Sequence, residues 1–314
     1  MNIGYACINM TMGKKVTTNR SMVKKTFNAK GLDYVSELAL LNAKDIIKIL
    51  EWNRMNGIHL FRLSSALIPW GDNLDLTQLK DYKEIKSELK KAGDFAKFHN
   101  IRITSHPGPF NVLVSPNEKV VLATIADLEL HGKIFDMMGL SKTPYNKINI
   151  HCNGVYGDKK SALDRFILNF QRLSKSVQKR LTIENDDKAS MYSVKDLMYI
   201  HNALKIPIVF DYHHHQFCTG DLSEETALKL AATTWPKGIT PVVHYSESKA
   251  LHENNPKEKP QAHSLYIKSL PNVYELDVDI MVEAKAKELA ILPFLKYQTN
   301  EKIRNVHREM AELA

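Results

Sequence analysis

Six imidazole or carboxylate side chains close short apolar runs: His106 after Ile101–Ser105, His151 after Ile148–Ile150, Glu184 after Ile183, Asp211 after Phe210, His244 after Val243 and Glu283 after Val282. Such runs read as buried strands, and a barrel gathers its chemistry at the ends of its strands. His214, three residues after Asp211, and His263, beyond a polar loop, bring the set to five histidines and three acids. Nitrogen and oxygen donors without thiolates suit Zn, Mn or Fe, and the set exceeds what one tetrahedral ion takes. The expectation is a cluster of two or three divalent ions, with Glu184 able to bridge two of them and Glu184, Asp211 and Glu283 as the catalytic carboxylates. Clustered ions activate water near neutral pH and stabilise charge on a phosphate under in-line attack. Taken singly, each residue has a plainer role, since strand-end histidines pack and strand-end aspartates cap helices. Their joint placement favours ligands. The run His213-His214-His215 leaves its register open, and His59, His99, His131, His201 and His252 read as surface or packing residues.

The elements that must position these groups are eight apolar runs: Ile3–Cys7, Ile58–Leu63, Ile101–Ser105, Ile148–Cys152, Leu181–Glu184, Ile206–Asp211, Pro241–Tyr245 and Ile280–Glu283. Helical patterns lie between them. Ile46, Ile49 and Leu50 share one face, Val121, Ile125, Leu128, Phe135 and Met138 form a stripe, and Lys159–Val177, Val194–Leu204, Ser223–Ala232 and the segment after Glu283 supply further helices. Alternating strand and helix implies parallel strands with right-handed crossovers, so an α/β fold with a single (β/α)₈ TIM barrel over residues 1–314 is expected. An open doubly wound sheet would usually carry a Gly-rich phosphate loop after an early strand, and none is present. Ser246–Pro260 reads as a long surface loop.

With 314 residues, 44% hydrophobic and 25% charged, the chain can bury a sizeable core, and its formal charge of +8 attracts polyanions without proving contact with them. Cys7, Cys152 and Cys218 are isolated, which argues against a disulfide framework and for a reducing compartment. No leader pattern or membrane-length apolar stretch is present, so a soluble, intracellular protein with no membrane contact and no evident protein partner is expected. Lysine pairs such as Lys14-Lys15 read as solvated surface or as an aid to nuclear import.

Several longer motifs occur in order: Gly4–Asn9, TTNR at Thr17–Arg20, FRLSSALIPW at Phe61–Trp70, SHPG at Ser105–Gly108, HCNGVYGDK at His151–Lys159, IENDD at Ile183–Asp187, DYHHH at Asp211–His215, AH at Ala262–His263 and VEAKAKE at Val282–Glu288. In these the chain resembles the UV-damage endonucleases over nearly its whole length. The resemblance implies an endonuclease IV-like (β/α)₈ barrel with a multinuclear site, commonly Mn²⁺. It implies incision of damaged double-stranded DNA 5′ to cyclobutane pyrimidine dimers, (6-4) photoproducts and abasic sites, leaving a 3′-hydroxyl. It places metal-binding histidines at His106, His151, His214, His244 and His263 and carboxylate ligands at Glu184, Asp211 and Glu283. Three positions depart from the family. Pro109-Phe110 stands where a glutamine and an aromatic residue probe the duplex, Val242 where a lysine precedes the seventh-strand histidine, and Asn73 where some members carry histidine. Proline has no side-chain amide, while Phe110 can still wedge or stack.

The expected activity is therefore that of a metal-dependent endodeoxyribonuclease. Pro109 and Phe110 are candidates for lesion contacts. Arg62, Lys159 and Lys285 are candidates for phosphate contacts or for supporting the ligands, and Tyr5 and Asn9 for lining the barrel mouth or merely capping it. Two rivals share the sequence features: a metal-dependent sugar isomerase or epimerase on the same barrel, and a damaged-DNA-binding protein with weakened catalysis.

Overall fold

A computed structural model describes residues 1–295; residues 296–314, the far end of the expected barrel domain and of its last helix, lie outside the described residues. Eight parallel strands run β1 Ile3–Ala6, β2 Leu60–Leu63, β3 Arg102–Ser105, β4 Ile148–His151, β5 Leu181–Glu184, β6 Ile208–Val209, β7 Val242–Tyr245 and β8 Asp279–Val282. They are ordered β6-β5-β4-β3-β2-β1-β8-β7, and a parallel bridge between Asp211 and His244 joins the two outer strands into a nearly closed barrel. Each strand lies within two residues of its expected run. The two-residue β6 is the most curtailed.

Side chains alternate across the strands, and the alternation sorts the chain into two cores. Ile3, Tyr5, Phe61, Ile103, Ile148, Ile150, Ile183 and Val243 face outward, against helices such as Lys24–Met55, Tyr82–Phe98, Glu118–Met137 and Val194–Leu204. Ala6, Leu60, Val209, Val242 and Met281 fill the barrel with Trp235. That interior is tight at Gly4, where an added Cβ would sit 2.3 Å from the Leu60 carbonyl oxygen, so only glycine lets β1 lie there. The segment Lys159–Val177 is two helices, Lys159–Phe170 and Lys175–Gln178, because Ser174 breaks off to cap the second by accepting from the Val177 N–H. The Ser246–Pro260 loop carries one helical turn, Lys249–His252. The three cysteines are free, and no helix among the described residues is long and apolar enough to cross a membrane.

Candidate active site

The inward alternation delivers the strand-end groups to one mouth. Glu184, the last residue of β5, is fully buried at its centre. Its Oε2 lies 3.1 Å from His106 Nε2 and 3.1 Å from His244 Nδ1, while Oε1 lies 3.8 Å from His151 Nε2 and 3.4 Å from His214 Nδ1. Glu283 reaches His244 Nδ1 at 3.3 Å and His263 Nδ1 at 3.8 Å. Asp211 Oδ1 caps the turn Tyr212–His215 by accepting from the His214 N–H at 2.8 Å, and Oδ2 is left over, 4.0 Å from His214 Nδ1. Consecutive residues of a helical turn point about 100° apart, so only one histidine of the run can face the carboxylates. It is His214; His213 packs on Phe217 and His263, and His215 on Phe210.

Glu184 Oε1, Asp211 Oδ2 and His244 Nδ1 are buried without a partner in hydrogen-bonding geometry. Buried polar atoms are ordinarily paired, so unpaired donors of one chemical class facing each other fit the seat of cations. Three groups bring their ligand atoms within 4.8 Å of one another: His106, His151 and Glu184; His106, His244 and Glu283; and Glu184, Asp211 and His244. His214 and His263 stand at the edge of these groups.

The local charges sort the protons. Burial opposes ionisation of Glu184, but His244, His151 and His106 outweigh it and hold the carboxyl well below its usual range; Arg62 and His244 do the same for Glu283. At Asp211 burial outweighs the opposing pull of His214 and, together with the Glu184 and Glu283 neighbours, pushes the carboxyl up to about 7. Burial would lower His151, yet Glu184 and Asp186 raise it to about 9. Burial dominates at His244, lowering it to about 3.

The rings are held by groups the strand-end argument missed. Nδ1 of His106 meets the Pro107 carbonyl at 3.1 Å, that of His214 the Asn185 carbonyl at 3.0 Å, that of His263 the Glu283 carbonyl at 3.3 Å, and that of His151 faces Asp186 Oδ1 at 3.1 Å. His106 and His151 thereby present Nε2 to Glu184. His244 is reversed: Nε2 is 3.0 Å from the amine of Lys147, which is fully buried, and Nδ1 faces the carboxylates. Burial pushes the Lys147 amine down to about 7. Asn149 donates to Glu184 Oε2 and accepts from Thr182 at 2.7 Å. Lys147, just before β4, and Asn149 and His151 within it occupy alternate positions, and this period-two row of polar residues amid isoleucines was the available signal.

The recognition candidates fare unevenly. Tyr5 and Asn9 do not line the mouth. Tyr5 lies on the outward face of β1, where its hydroxyl donates to Asn53 Oδ1 at 2.8 Å and accepts from Asn9 Nδ2 at 2.9 Å, and both residues are closed to solvent. Arg62 is paired with Glu283, so its guanidinium is engaged with that carboxylate rather than free for phosphate. Lys159 holds Asp196 at 3.0 Å, whereas Lys285 is exposed and lines a cavity with His263. Pro109 and Phe110 are exposed, Phe110 by 71%. The Phe110 ring folds over Gly108, where a Cβ would come within 2.4 Å of it, and borders a cavity of about 320 Å³ with Trp70, Ile68, Asn73 and Asp127. Val242 is buried in the barrel, and the amine beside His244 comes from Lys147 on the opposite side of the sequence pattern, at the foot of β4.

The model of the UV-endonuclease family (UvdE) matches residues 1–313. The UV DNA damage endonuclease of Clostridium perfringens is 36% identical over 93% of the chain and 69% of its own length. The UV-damage endonuclease of Schizosaccharomyces pombe is 38% identical over 92% of the chain, which spans about half, 49%, of that relative. Among solved structures, that of SacUVDE superposes with a TM-score of 0.84 at 33% identity, covering 96% of this chain and 99% of that one. A 3-keto-D-glucoside 4-epimerase from E. coli, at 13% identity and a TM-score of 0.55 over 95% of this chain and 99% of that one, shares the barrel alone. Matched along its length and carrying its histidines and carboxylates at the strand ends, the chain belongs to the UV-damage endonuclease family.

Proposed function

We propose that the chain is a metal-dependent endodeoxyribonuclease that nicks duplex DNA 5′ to cyclobutane pyrimidine dimers and (6-4) photoproducts, with abasic sites as further substrates, residues 1–314 working as one barrel domain inside the cell. The observation that carries this reading is the set of unpaired, buried ligand atoms on Glu184, Asp211 and His244 at the mouth of a barrel matched by this family. Two or three divalent ions, Mn²⁺ foremost, suit a set of imidazoles and carboxylates without thiolates, with His106, His151, His214, His244, His263, Glu184, Asp211 and Glu283 as the ligands. When bound, such ions polarise the scissile phosphate and bring the ionisation of water toward neutral pH.

The chain's own groups complete the chemistry. Glu184, ionised among three imidazoles, orients the ligands around it, and Arg62 keeps Glu283 charged. Asp211, held near neutrality by burial and its acidic neighbours when no ion is bound, would give up its proton to serve as a ligand. Phe110 wedges into the duplex beside the lesion, offsetting part of the unstacking, and Pro109 stiffens the loop that carries it. Lys285 contacts the phosphate backbone, and Lys159 does so once released from Asp196.

The test is a strand-labelled duplex with one defined photoproduct, incubated with the purified chain and Mn²⁺ or with a chelator, and the cut mapped to the nucleotide. The expected product ends immediately 5′ to the lesion and vanishes with chelator. Binding without a cut would favour a DNA-binding protein, and indifference to DNA a sugar enzyme. Elemental analysis of the active protein should find more than one ion per chain, and a reproducible value of one or none sinks the cluster.

A further inference from the structure

Lys147 is an anomaly by ordinary rules of burial. Its side chain is wholly enclosed in the barrel, yet no carboxylate lies within ion-pair distance of its amine among the described residues. Lysine is almost never fully buried unless paired. Its near neighbour is a ring nitrogen, His244 Nε2 at 3.0 Å. His106 and His151 bring Nε2 to Glu184, whereas His244 turns Nδ1 to the carboxylates, 3.1 Å from Glu184 and 3.3 Å from Glu283. His106 and His151 direct Nδ1 at the Pro107 carbonyl and the Asp186 carboxylate and so present Nε2.

We propose that Lys147 is a positioning residue that holds His244 by Nε2 and so makes Nδ1 the nitrogen offered to an ion. An imidazole that gives Nδ1 to an ion keeps its proton on Nε2, and that N–H then donates to the lone pair of the lysine nitrogen. In most metal sites a carboxylate or a carbonyl takes this part. Here β4 supplies an amine from its foot, reaching along the barrel interior past Asn149. Lys147 touches neither substrate nor ion; it decides which atom of His244 does. This rests on the metal-site reading above.

The test uses the full chain, stripped with chelator and titrated with Zn²⁺ by calorimetry, as the parent, K147M and K147Q. Methionine fills the volume without a polar atom. K147M should bind Zn²⁺ about 10- to 100-fold more weakly, the range typical of a lost ligand-orienting partner. Its metal-free melting temperature should hold or rise, because a buried amine without a carboxylate partner has been removed. The glutamine carbonyl in K147Q can accept from Nε2–H and should recover part of the affinity. A merely structural lysine would instead lower metal-free stability and Zn²⁺ affinity together, and parental affinity in K147M would overturn the proposal outright. A direct readout needs no variant to fold. In Zn²⁺-loaded parent labelled with ¹⁵N, long-range imidazole spectra should show His244 coordinated through Nδ1 with its proton on Nε2. His106 and His151 should show the opposite, with the His244 signal assigned by its loss in H244Q. Coordination of His244 through Nε2 refutes the proposal even if both variants misfold. If the parent binds no ion at all, the metal-site reading fails; if it binds ions and K147M matches it, only the role of Lys147 fails.

Discussion

At the end of the barrel where the strands begin, Arg102 and Asp279 open β3 and β8 and meet at 2.9 Å, both buried. Every polar direction there is answered. Arg102 also donates to the carbonyls of Tyr145 and Thr240 at 2.7 Å and of Pro144 at 3.2 Å, and Asp279 accepts from the Asn2 backbone and side chain at 2.8 and 3.0 Å. At the end where the strands finish, charges are as deeply buried, but Glu184, Asp211 and His244 each keep an atom unpaired. Burial of charge therefore does not itself mark a reactive site in this molecule. What separates the two ends is whether the polar valences are filled from within the chain, and the unfilled end is the one that can hold ions.

That contrast can be broken from either side. The largest effect is expected at the open end: Glu184→Gln should lower single-turnover incision of a photoproduct duplex by about 10³-fold, comparable to the loss of a key charge-stabilising group elsewhere. DNA affinity should change little, because phosphate contacts lie apart from this buried carboxylate. Near-parental turnover would remove Glu184 from its central place.

At the closed end, Asp279→Ala should destabilise the fold by about 3–5 kcal/mol, since it strands a buried guanidinium. Urea unfolding with and without Mn²⁺ separates this from chemistry: the folded fraction should still take up its ions. Loss of metal without loss of stability would mean the two ends are not independent.

The pH response sharpens the comparison further. In chelated protein His151, raised to about 9, and Asp211, raised to about 7, both bind protons more tightly folded than unfolded. The stability from His151 is full below its unfolded value and is lost as pH rises through about 9; that from Asp211 is lost as pH rises through about 7. Ions need these groups deprotonated, so their binding strengthens over the same interval. The gap in melting temperature between Mn²⁺-loaded and chelated protein should widen from about pH 6.5 to 9. A gap that narrows would contradict the assignment of His151 and Asp211 as ligands.

The smallest effect is expected at the rim. Phe110→Ala should reduce photoproduct incision by about tenfold, the scale of one unstacking contribution, and leave metal content and melting unchanged because the ring is exposed. Incision at the parental rate would remove the wedge; early melting with metal loss would make the ring structural.

The strands and their ends were legible because a fully buried parallel strand announces itself as an apolar run, and a His or acid at its end interrupts that run visibly. The helix Tyr82–Phe98 was less conspicuous, with many lysines and glutamates around its buried Ile85, Leu89, Ala92 and Ala96. Tyr5 was misplaced for want of the strand's phase: one residue either way decides whether a side chain enters the barrel or meets a helix. Lys147 and Asp186 escaped for a different reason. A lysine at the head of a strand and an aspartate in a loop are what a solvated surface carries, and only the closing of the barrel brings them against His244 and His151.

The barrel has a seam, and it passes through the mouth. β6 is two residues long, and beyond it the hold on β7 includes the bridge from Asp211 to His244 and the His244 N–H to the Phe210 carbonyl at 2.9 Å. Short pairings of this kind are where a fold breathes first, exposing its amides to exchange with solvent. Both bridge residues are candidate ligands, so an ion shared by their side chains would also fasten the last two staves of the barrel. Occupancy would then be written into the exchange rate of a backbone amide, and an empty site would be the looser cask.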